Sequence, residues 1–561
     1  MLIQQNLIYH NTELDTGVTY YEANEDAAYF LLRSGRILQI IETRYGADAK
    51  DVVQNLLLLG HAKVGDLVDA YHSKTKLTNG QTNGTTNGVN GTEASDNLNL
   101  DGILKRLLDD GFAEPLVKSM FKSPADTYLE AERDITRSAG AAATAGASKA
   151  GKTADLLKHD VERTVETARR QRSWKEGNLK RYDKNIIPAS EKRRKLANGR
   201  AAAAGPGEFE NDVVLDRDLV VRVNFERCTV ALRTEALAAA AESEFGSIPA
   251  QVYGSLLQIL EDKIPRCKSA EEDVNDDDTA GKSVTVSQLS SSLSSDINVS
   301  QGIGMVPSEW AKLRPGEIPP QASNGKRKRG YESPEDSDGD VVSMDATADR
   351  QSRMSRVKDH LSLISVDRQD LLKRVSNDGL GEFIVPFKEA TAFLREVELD
   401  TYIAATFGKV GLRLSHVLRK FGKLDEKQIQ KIALMKQGEV RKTLIRMEMA
   451  GFADIQEVPK DAMRTPNRTI FLWWFDTERV SVQLLDNICK TICRCLEVLE
   501  TERYKSRDII ALSRRSDVAE NEIEALTSEH LEELTNFRVK EERLTAQINR
   551  LDQLVGIFKD F

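Results

Sequence analysis

One junction recurs along this chain and constrains its fold more than any other feature. A helical pattern runs to Gly or Asn, then passes through an apolar residue into an extended run. It stands at "LIQQNLIYHN" (Leu2–Asn11), "LLDDGFAEPL" (Leu107–Leu116), "SNDGLGEFIV" (Ser376–Val385) and "MEMAGFADIQ" (Met447–Gln456). Gly and Asn take up the left-handed backbone conformation that stops a helix at little cost. Such junctions are common in long chains, so the residues that precede each one decide its meaning.

Before Gly451 lie three amphipathic segments, roughly Gly408–Phe421, Asp425–Leu434 and Lys436–Ala450, joined by connectors of a few residues. Short connectors imply helices packed as neighbours. In the third, Val440, Thr443, Leu444 and Met447 share one face at helical spacing, with Lys442 and Arg446 opposite. After Gly451 come an extended "FADIQEV" (Phe452–Val458), a basic loop "PKDAMRTPNR" (Pro459–Arg468) and an apolar strand "TIFLWWF" (Thr469–Phe475). Three helices closed by a two-stranded hairpin make a winged helix.

The same order recurs earlier. Asp48–Gly60, Val64–His72 and Leu98–Phe112 form one trio, and a broken copy starts near Val213 with helices at Thr229–Gly246, Ile248–Ile264 and Thr285–Leu293. That copy continues through "SRMSRVKDHLSLISVDRQDLLKRVSNDGLGEFIV" (Ser352–Val385). "MLIQQNLIYH" (Met1–His10) reads as the last turn and first wing strand of a further copy whose first helices lie outside the chain. From Val480 the pattern changes. Leu485, Ile488, Ile492, Cys495 and Leu499, then Ile523, Thr527, His530, Leu534, Phe537, Glu541, Leu544, Ile548, Leu551, Val555 and Phe558, alternate at threes and fours. This predicts a coiled coil, as an antiparallel hairpin or one continuous helix, with "DVAE" (Asp517–Glu520) as a capping box for the second helix.

The fold expected is therefore mainly α with small β-hairpins, tandem winged helices followed by a C-terminal coiled coil. Its parts are a remnant first winged helix at 1–22, a second at 23–130 with a disordered insertion at 73–97, and a basic linker at 131–212. A third follows at 213–387 with a long disordered insertion at about 269–350, a fourth at 388–477, and a coiled-coil hairpin at 478–561. The insertions carry repeated Thr-Asn-Gly (Thr78–Gly91) or acidic runs (Glu271–Asp278, Tyr331–Asp340), too little apolar surface to offset ordering entropy.

Composition narrows the chemistry. Net charge is −9 over 561 residues, yet Gly151–Arg200 holds fifteen Lys/Arg against seven Asp/Glu. Lys326, Arg327, Lys328 and Arg329, within "GKRKRG", form a candidate nuclear localisation signal. Five dispersed cysteines argue against a disulfide framework and for reducing surroundings. Cys489, Cys493 and Cys495 match no common zinc spacing and suit apolar packing. No apolar run reaches membrane-spanning length. Phosphate loops, dinucleotide fingerprints and nucleophile elbows are all missing, so no catalytic, cofactor or metal residue is assigned. Lys442, Arg446, Lys460, Arg464 and Arg468 are the candidate DNA- or partner-facing cations of the fourth winged helix, because cations meeting phosphates position a protein without reading sequence.

The tandem winged helices, the acidic insertion and "RTIFLWWFDTERV" (Arg468–Val480) running into a terminal coiled coil resemble one family. So do "ILQIIETRYGADAKDVVQNLLLLG" (Ile37–Gly60) and "GKVGLRLSHVLRKFGKLDEKQIQKIALM" (Gly408–Met435). The family is the third-largest subunit of RNA polymerase III in its fungal form, related to the large subunit of transcription factor IIE. The resemblance implies a non-catalytic nuclear protein with four winged helices, held in a peripheral three-protein subcomplex near the polymerase clamp. Its partners would be other polymerase subunits, initiation factors and promoter DNA contacted largely without sequence preference, with no cofactor, small-molecule substrate or membrane. It would act in promoter recruitment and DNA opening for small RNA genes such as those of tRNA and 5S rRNA. Two other readings stand beside it: a factor-IIE-like general transcription factor, disfavoured by the lack of paired Cys-x2-Cys motifs, and a winged-helix scaffold of the proteasome-lid type.

Overall fold

A computed structural model describes residues 2–12, 17–71, 100–139, 215–264, 266–267, 283–294, 297–299, 342–366, 370–376, 381–459, 469–515, 518 and 526–561. The chain divides into two compact units. One comprises Met1–Val230, Arg266–Asp276 and Thr491–Gln553; the other comprises Ala231–Pro265, Asp277–Lys490 and Leu554–Phe561.

The first unit opens on a hairpin of β1 (Ile8–Thr12) and β2 (Thr19–Ala23), antiparallel from Ile8↔Ala23 to Thr12↔Thr19. Asn6, at φ 56, turns the chain into it, as the junction predicts. Asn24 then caps α1 (Glu25–Phe30), its Oδ1 accepting from the Ala27 N–H at 3.1 Å. After α2 (Ser34–Tyr45) comes the second winged helix: α3 (Ala47–Leu59), β3 (Ala62–Lys63), α4 (64–71), α5 (Leu100–Asp109) and β4 (Ala113–Pro115). Leu100, Leu104, Leu107 and Leu108 form the buried stripe of α5. The helix α6 (Pro124–Ala139) follows.

The strand that completes this sheet lies elsewhere in the sequence. β5 (Val220–Val223) pairs with both β3 and β4, so the sheet runs β3-β5-β4. This corrects the boundary drawn at residue 213: Leu215–Val223 belongs with the second winged helix, across the basic linker. The cross-strand ion pair of Arg222 with Glu114, Nε to Oε1 2.8 Å, ties the closing strand in place.

α7 (Phe225–Phe245) leads to the third winged helix: α8 (Ser247–Glu261), β6 (Val284–Thr285), α9 (Val286–Ser292), α10 (Val342–Val366), β7 (Lys373–Ser376) and β8 (Glu382–Ile384). Its sheet order is β6-β8-β7. Two expectations are corrected here. The trio begins at Ser247, because the segment from Thr229 is a preceding helix set off by Gly246 at φ 89. "SNDGLGEFIV" begins on the last residue of the strand β7 and contains β8, so no helix ends there. α10 also begins within the stretch assigned to the long insertion.

α11 (Phe387–Phe421) is broken at Gly408, φ 76 and ψ −177, and its second half is the first helix of the fourth winged helix. β9 (Leu424–Asp425), α12 (Glu426–Ala433), α13 (Gln437–Met449), β10 (Asp454–Pro459) and β11 (Thr469–Trp474) complete it, in the order β10-β11-β9. The three three-stranded sheets therefore share one arrangement, with the last strand in the centre. A common supersecondary unit repeated three times explains this.

From α14 (Thr477–Lys505) through α15 (Arg507–Ser513) to α16 (Ser528–Val555) the chain turns back on itself. Arg503 pairs with Glu541 at 2.6 Å, Lys540 with Glu502 at 2.8 Å, and Ile509 clusters with Leu534. Residue numbers rise along one arm and fall along the other, the signature of an antiparallel helical hairpin. Ile488, Ile492 and Leu499 are buried as the seam predicts, but Leu484 takes the position expected of Leu485, and Thr527 is exposed. α16 opens at Ser528, where Thr527 Oγ1 accepts from the His530 N–H at 3.4 Å. Most of "DVAE" lies outside the described residues, as do the insertion at 73–97 and residues 268–282 and 300–341 of the long one, whose interior supplies β6 and α9. A short π-helical turn, Gly556–Asp560, ends the chain, and Arg395 donates to the Ile557 and Phe561 carbonyls at 3.1 and 2.7 Å.

Candidate nucleic-acid and partner interface

The fourth winged helix positions the candidate cations. Its α12 begins at Asp425, whose backbone N–H donates to Gln428 Oε1 at 3.1 Å, and ends at Leu434 in the left-handed conformation, φ 55. Val440, Thr443, Leu444 and Met447 are buried, the four residues the helical spacing selects. Gly451, φ 78, ends the helix, and the Phe452 N–H donates to the Met447 carbonyl at 2.7 Å.

Lys442 and Arg446 are both exposed on α13. They differ in freedom. Lys442 makes no ion pair with a described residue, whereas Arg446 donates to the Thr406 carbonyl at 3.2 Å and lies 5.8 Å from the Phe407 ring centre. Their neighbour Arg441 is held by Glu426 at distances of 3.0–3.2 Å. Lys460, Arg464 and Arg468 lie outside the described residues, and so do Lys326, Arg327, Lys328 and Arg329.

Helical spacing singled out the cations and overlooked what surrounds them. Leu434 and Met449 are each 82% exposed and Ile445 is 42% exposed. On the wing, Ile455, Val458, Ile470 and Phe471 are 37–40% exposed. A helical-wheel plot of the sequence places Ile445 and Met449 beside Lys442, so that signal was available. Leu434 required the turn geometry.

The three winged helices differ in charge and in how open they are. Among described residues, the fourth carries eleven Lys/Arg against six Asp/Glu, the third eight against seven, and the second six against ten. In the second, Phe112 through Pro115 are buried, so the start of its wing is committed to internal packing. Asp101 pairs with Arg217 at 3.1 Å and Asp110 accepts from the Tyr45 hydroxyl at 2.6 Å, so both carboxylates are engaged by neighbouring side chains. Among the described residues no cluster of His, Cys, Asp and Glu suited to a metal ion occurs, and no helix is long and apolar enough to cross a membrane.

Comparison with known proteins follows the same architecture. Residues 102–394 match the family model described as RNA polymerase III subunit RPC82, and residues 399–475 match the C-terminal winged-helix domain of POLR3C. The chain is 37% identical over 619 aligned residues to DNA-directed RNA polymerase III subunit rpc3 of Botryotinia fuckeliana, covering 100% of this chain and 91% of that one. It is 31% identical to subunit RPC3 of Chaetomium globosum, covering all of this chain and 98% of that protein. It is 30% identical to rpc3 of Aspergillus niger, covering all of this chain and 91% of that protein. The chain belongs to the RPC82/RPC3 family, the third-largest subunit of RNA polymerase III.

Proposed function

We propose that this chain is a non-catalytic, peripheral subunit that brings RNA polymerase III to its promoters and helps hold the DNA open during initiation on small RNA genes. Its partners are the other polymerase subunits, foremost those of a peripheral heterotrimer near the clamp, together with initiation factors. The observation that carries the reading is a chain of winged helices, similar from end to end to polymerase subunits, in which the fourth is basic and has an exposed wing. Winged helices meet DNA through the third helix and the wing. The wing-loop cations Lys460, Arg464 and Arg468 face the phosphate backbone, an interaction without sequence preference. Lys442 and Arg446 serve whichever neighbour covers α13. Lys326 to Arg329 direct the chain to the nucleus.

The test is a tagged chain recovered from nuclear extract, followed by depletion and add-back in transcription. The reading expects co-recovery of the two largest polymerase subunits. It further expects loss of initiation on a tRNA gene after depletion, with unaltered elongation from a tailed template. Recovery of proteasome-lid proteins alone, or normal initiation without the chain, would refute it.

A further inference from the structure

The three winged helices use one backbone plan with different charge on the same element. The helix that follows the first strand is α4 in the second, α9 in the third and α12 in the fourth. α4 has Asp66 and Asp69 at exposed positions, and α9 (Val286–Ser292) holds no charged residue. α12 instead has Lys427 and Lys431, both exposed and both on the side opposite the buried Ile429. The element forms twice without lysine at this place, so its packing does not call for one.

Lys436, also exposed, carries the row through the turn. It occupies the N-cap of α13 and makes no side-chain cap there. Ser, Thr, Asp or Asn would cap that helix, and a cation meets the positive end of its dipole. Local structure therefore gains nothing from this lysine. Among the described residues, none of Lys427, Lys431 and Lys436 makes an ion pair. The acids around them do not cancel their charge. Within residues 425–442, Asp425 caps α12 and Glu426 is held by Arg441 at 3.0–3.2 Å. Exposed Glu439 is the one acid left against Lys427, Lys431, Lys436 and Lys442. Lysine is depleted at protein interfaces, whereas phosphate asks for a point charge and little fixed geometry. Lys427 and Lys431 stand one helical turn apart, about 6 Å along the axis. A DNA strand carries a charge every ~3.4 Å of duplex axis, so a row at that spacing can follow one strand. In helix-turn-helix proteins the first helix crosses the DNA backbone.

We propose that α12 and the turn after it form a ridge that holds the phosphate backbone of double-stranded DNA through Lys427, Lys431 and Lys436. The assignment rests on the polymerase reading above and goes beyond it, since that reading gives DNA to the wing and this adds a second contact carried by a helix. The three lysines position the duplex and read no sequence.

The experiment purifies polymerase through the tagged full chain, as wild type, as K427Q/K431Q/K436Q and as K427R/K431R/K436R. Binding to duplex DNA is followed by fluorescence anisotropy across a salt series. The Gln variant is expected to bind more weakly, with a log–log salt slope shallower by about 0.9 for each of the three lost contacts. The Arg variant keeps the charge and is expected to keep the slope. Thermal unfolding of the full chain should be the same in all three. An unchanged slope in the Gln variant, or an equal flattening in the Arg variant, overturns the proposal and leaves the polymerase reading standing. Loss of polymerase subunits from the Gln purification alone assigns the ridge to protein and also overturns it. A lowered unfolding temperature in the Gln variant overturns the premise that packing makes no use of these lysines. Absence of every polymerase subunit from the wild-type material overturns both readings.

Discussion

At the scale of single residues, the most consequential interaction joins groups 519 positions apart. Arg33 and Asp552 are each 1% exposed and meet at 2.8 Å. Arg36 Nη1 reaches the other carboxylate oxygen at 3.3 Å and the Tyr29 hydroxyl donates to Oδ1 at 2.9 Å. Burial together with the Asp552 charge holds the Tyr29 hydroxyl well above its ordinary range. Removing one partner of such a pair strands a buried charge. Asp552→Ala should therefore cost ~3–5 kcal/mol, read as weakened hydrogen-exchange protection along Ser528–Val555. Arg33→Met with Asp552→Leu should recover most of it. Glu502 is a contrasting case. Hydrogen bonds from Lys505 and Lys540 lower its carboxyl from 4.5 to about 2. A lowered folded-state value means that this contribution is complete above 4.5, shrinks as pH falls, and is gone below about 2. In a carboxyl NMR titration Glu502 should titrate near pH 2, and Lys540→Met should raise the midpoint. A midpoint in the ordinary carboxylate range would show that Lys540 does not tie the two arms.

At the scale of elements, each winged helix is introduced by another helix through an aromatic–glycine step: Tyr45-Gly46, Phe245-Gly246 and Phe407-Gly408. The glycines have φ of 89°, 89° and 76° with ψ near 180°, a region essentially closed to residues with a Cβ. A Cβ at Gly246 would touch nothing within 4 Å. Gly246→Ala should nevertheless destabilise the third winged helix by ~1–3 kcal/mol, because the cost is in the backbone. Thermal unfolding of the full chain checks this against Gly438→Ala, which lies in a helix with equally open space and should be neutral or stabilising. Capping repeats too. Thr285 and Gln288 exchange hydrogen bonds at 3.2 and 3.4 Å where α9 begins, and Asp425 and Gln428 occupy the same place before α12.

At the scale of the whole molecule, the division of charge predicts a division of labour. Replacing Lys460, Arg464 and Arg468 by Glu should weaken DNA binding and make its salt dependence shallower, by about 1 in log–log slope for each phosphate no longer neutralised. Arg106→Glu, at an exposed position on α5 of the second winged helix, should change neither. Fluorescence anisotropy of the assembled polymerase on duplex DNA across a salt series distinguishes the two. Equal weakening would assign DNA binding to both winged helices.

Much of the local structure was legible in the sequence, although the strand before "SNDGLGEFIV" and the break at Gly246 were not. The stripe of Val440, Thr443, Leu444 and Met447, the stops at Asn6, Gly111 and Gly451, and the succession of three helices and a hairpin follow from periodicity and backbone preference within a dozen residues. Family membership followed from their order. What tertiary structure decided involves partners that lie far apart along the chain. Val220–Val223 completes a sheet begun at Ala62, across the whole linker, because hydrogen-bonding edges pair by position in space. Arg33 finds Asp552 only once the C-terminal hairpin folds back. The exposure of Leu434 and Met449 is likewise a tertiary result: a residue's type shows whether it favours burial, and only the packed chain shows which apolar side chains it leaves uncovered.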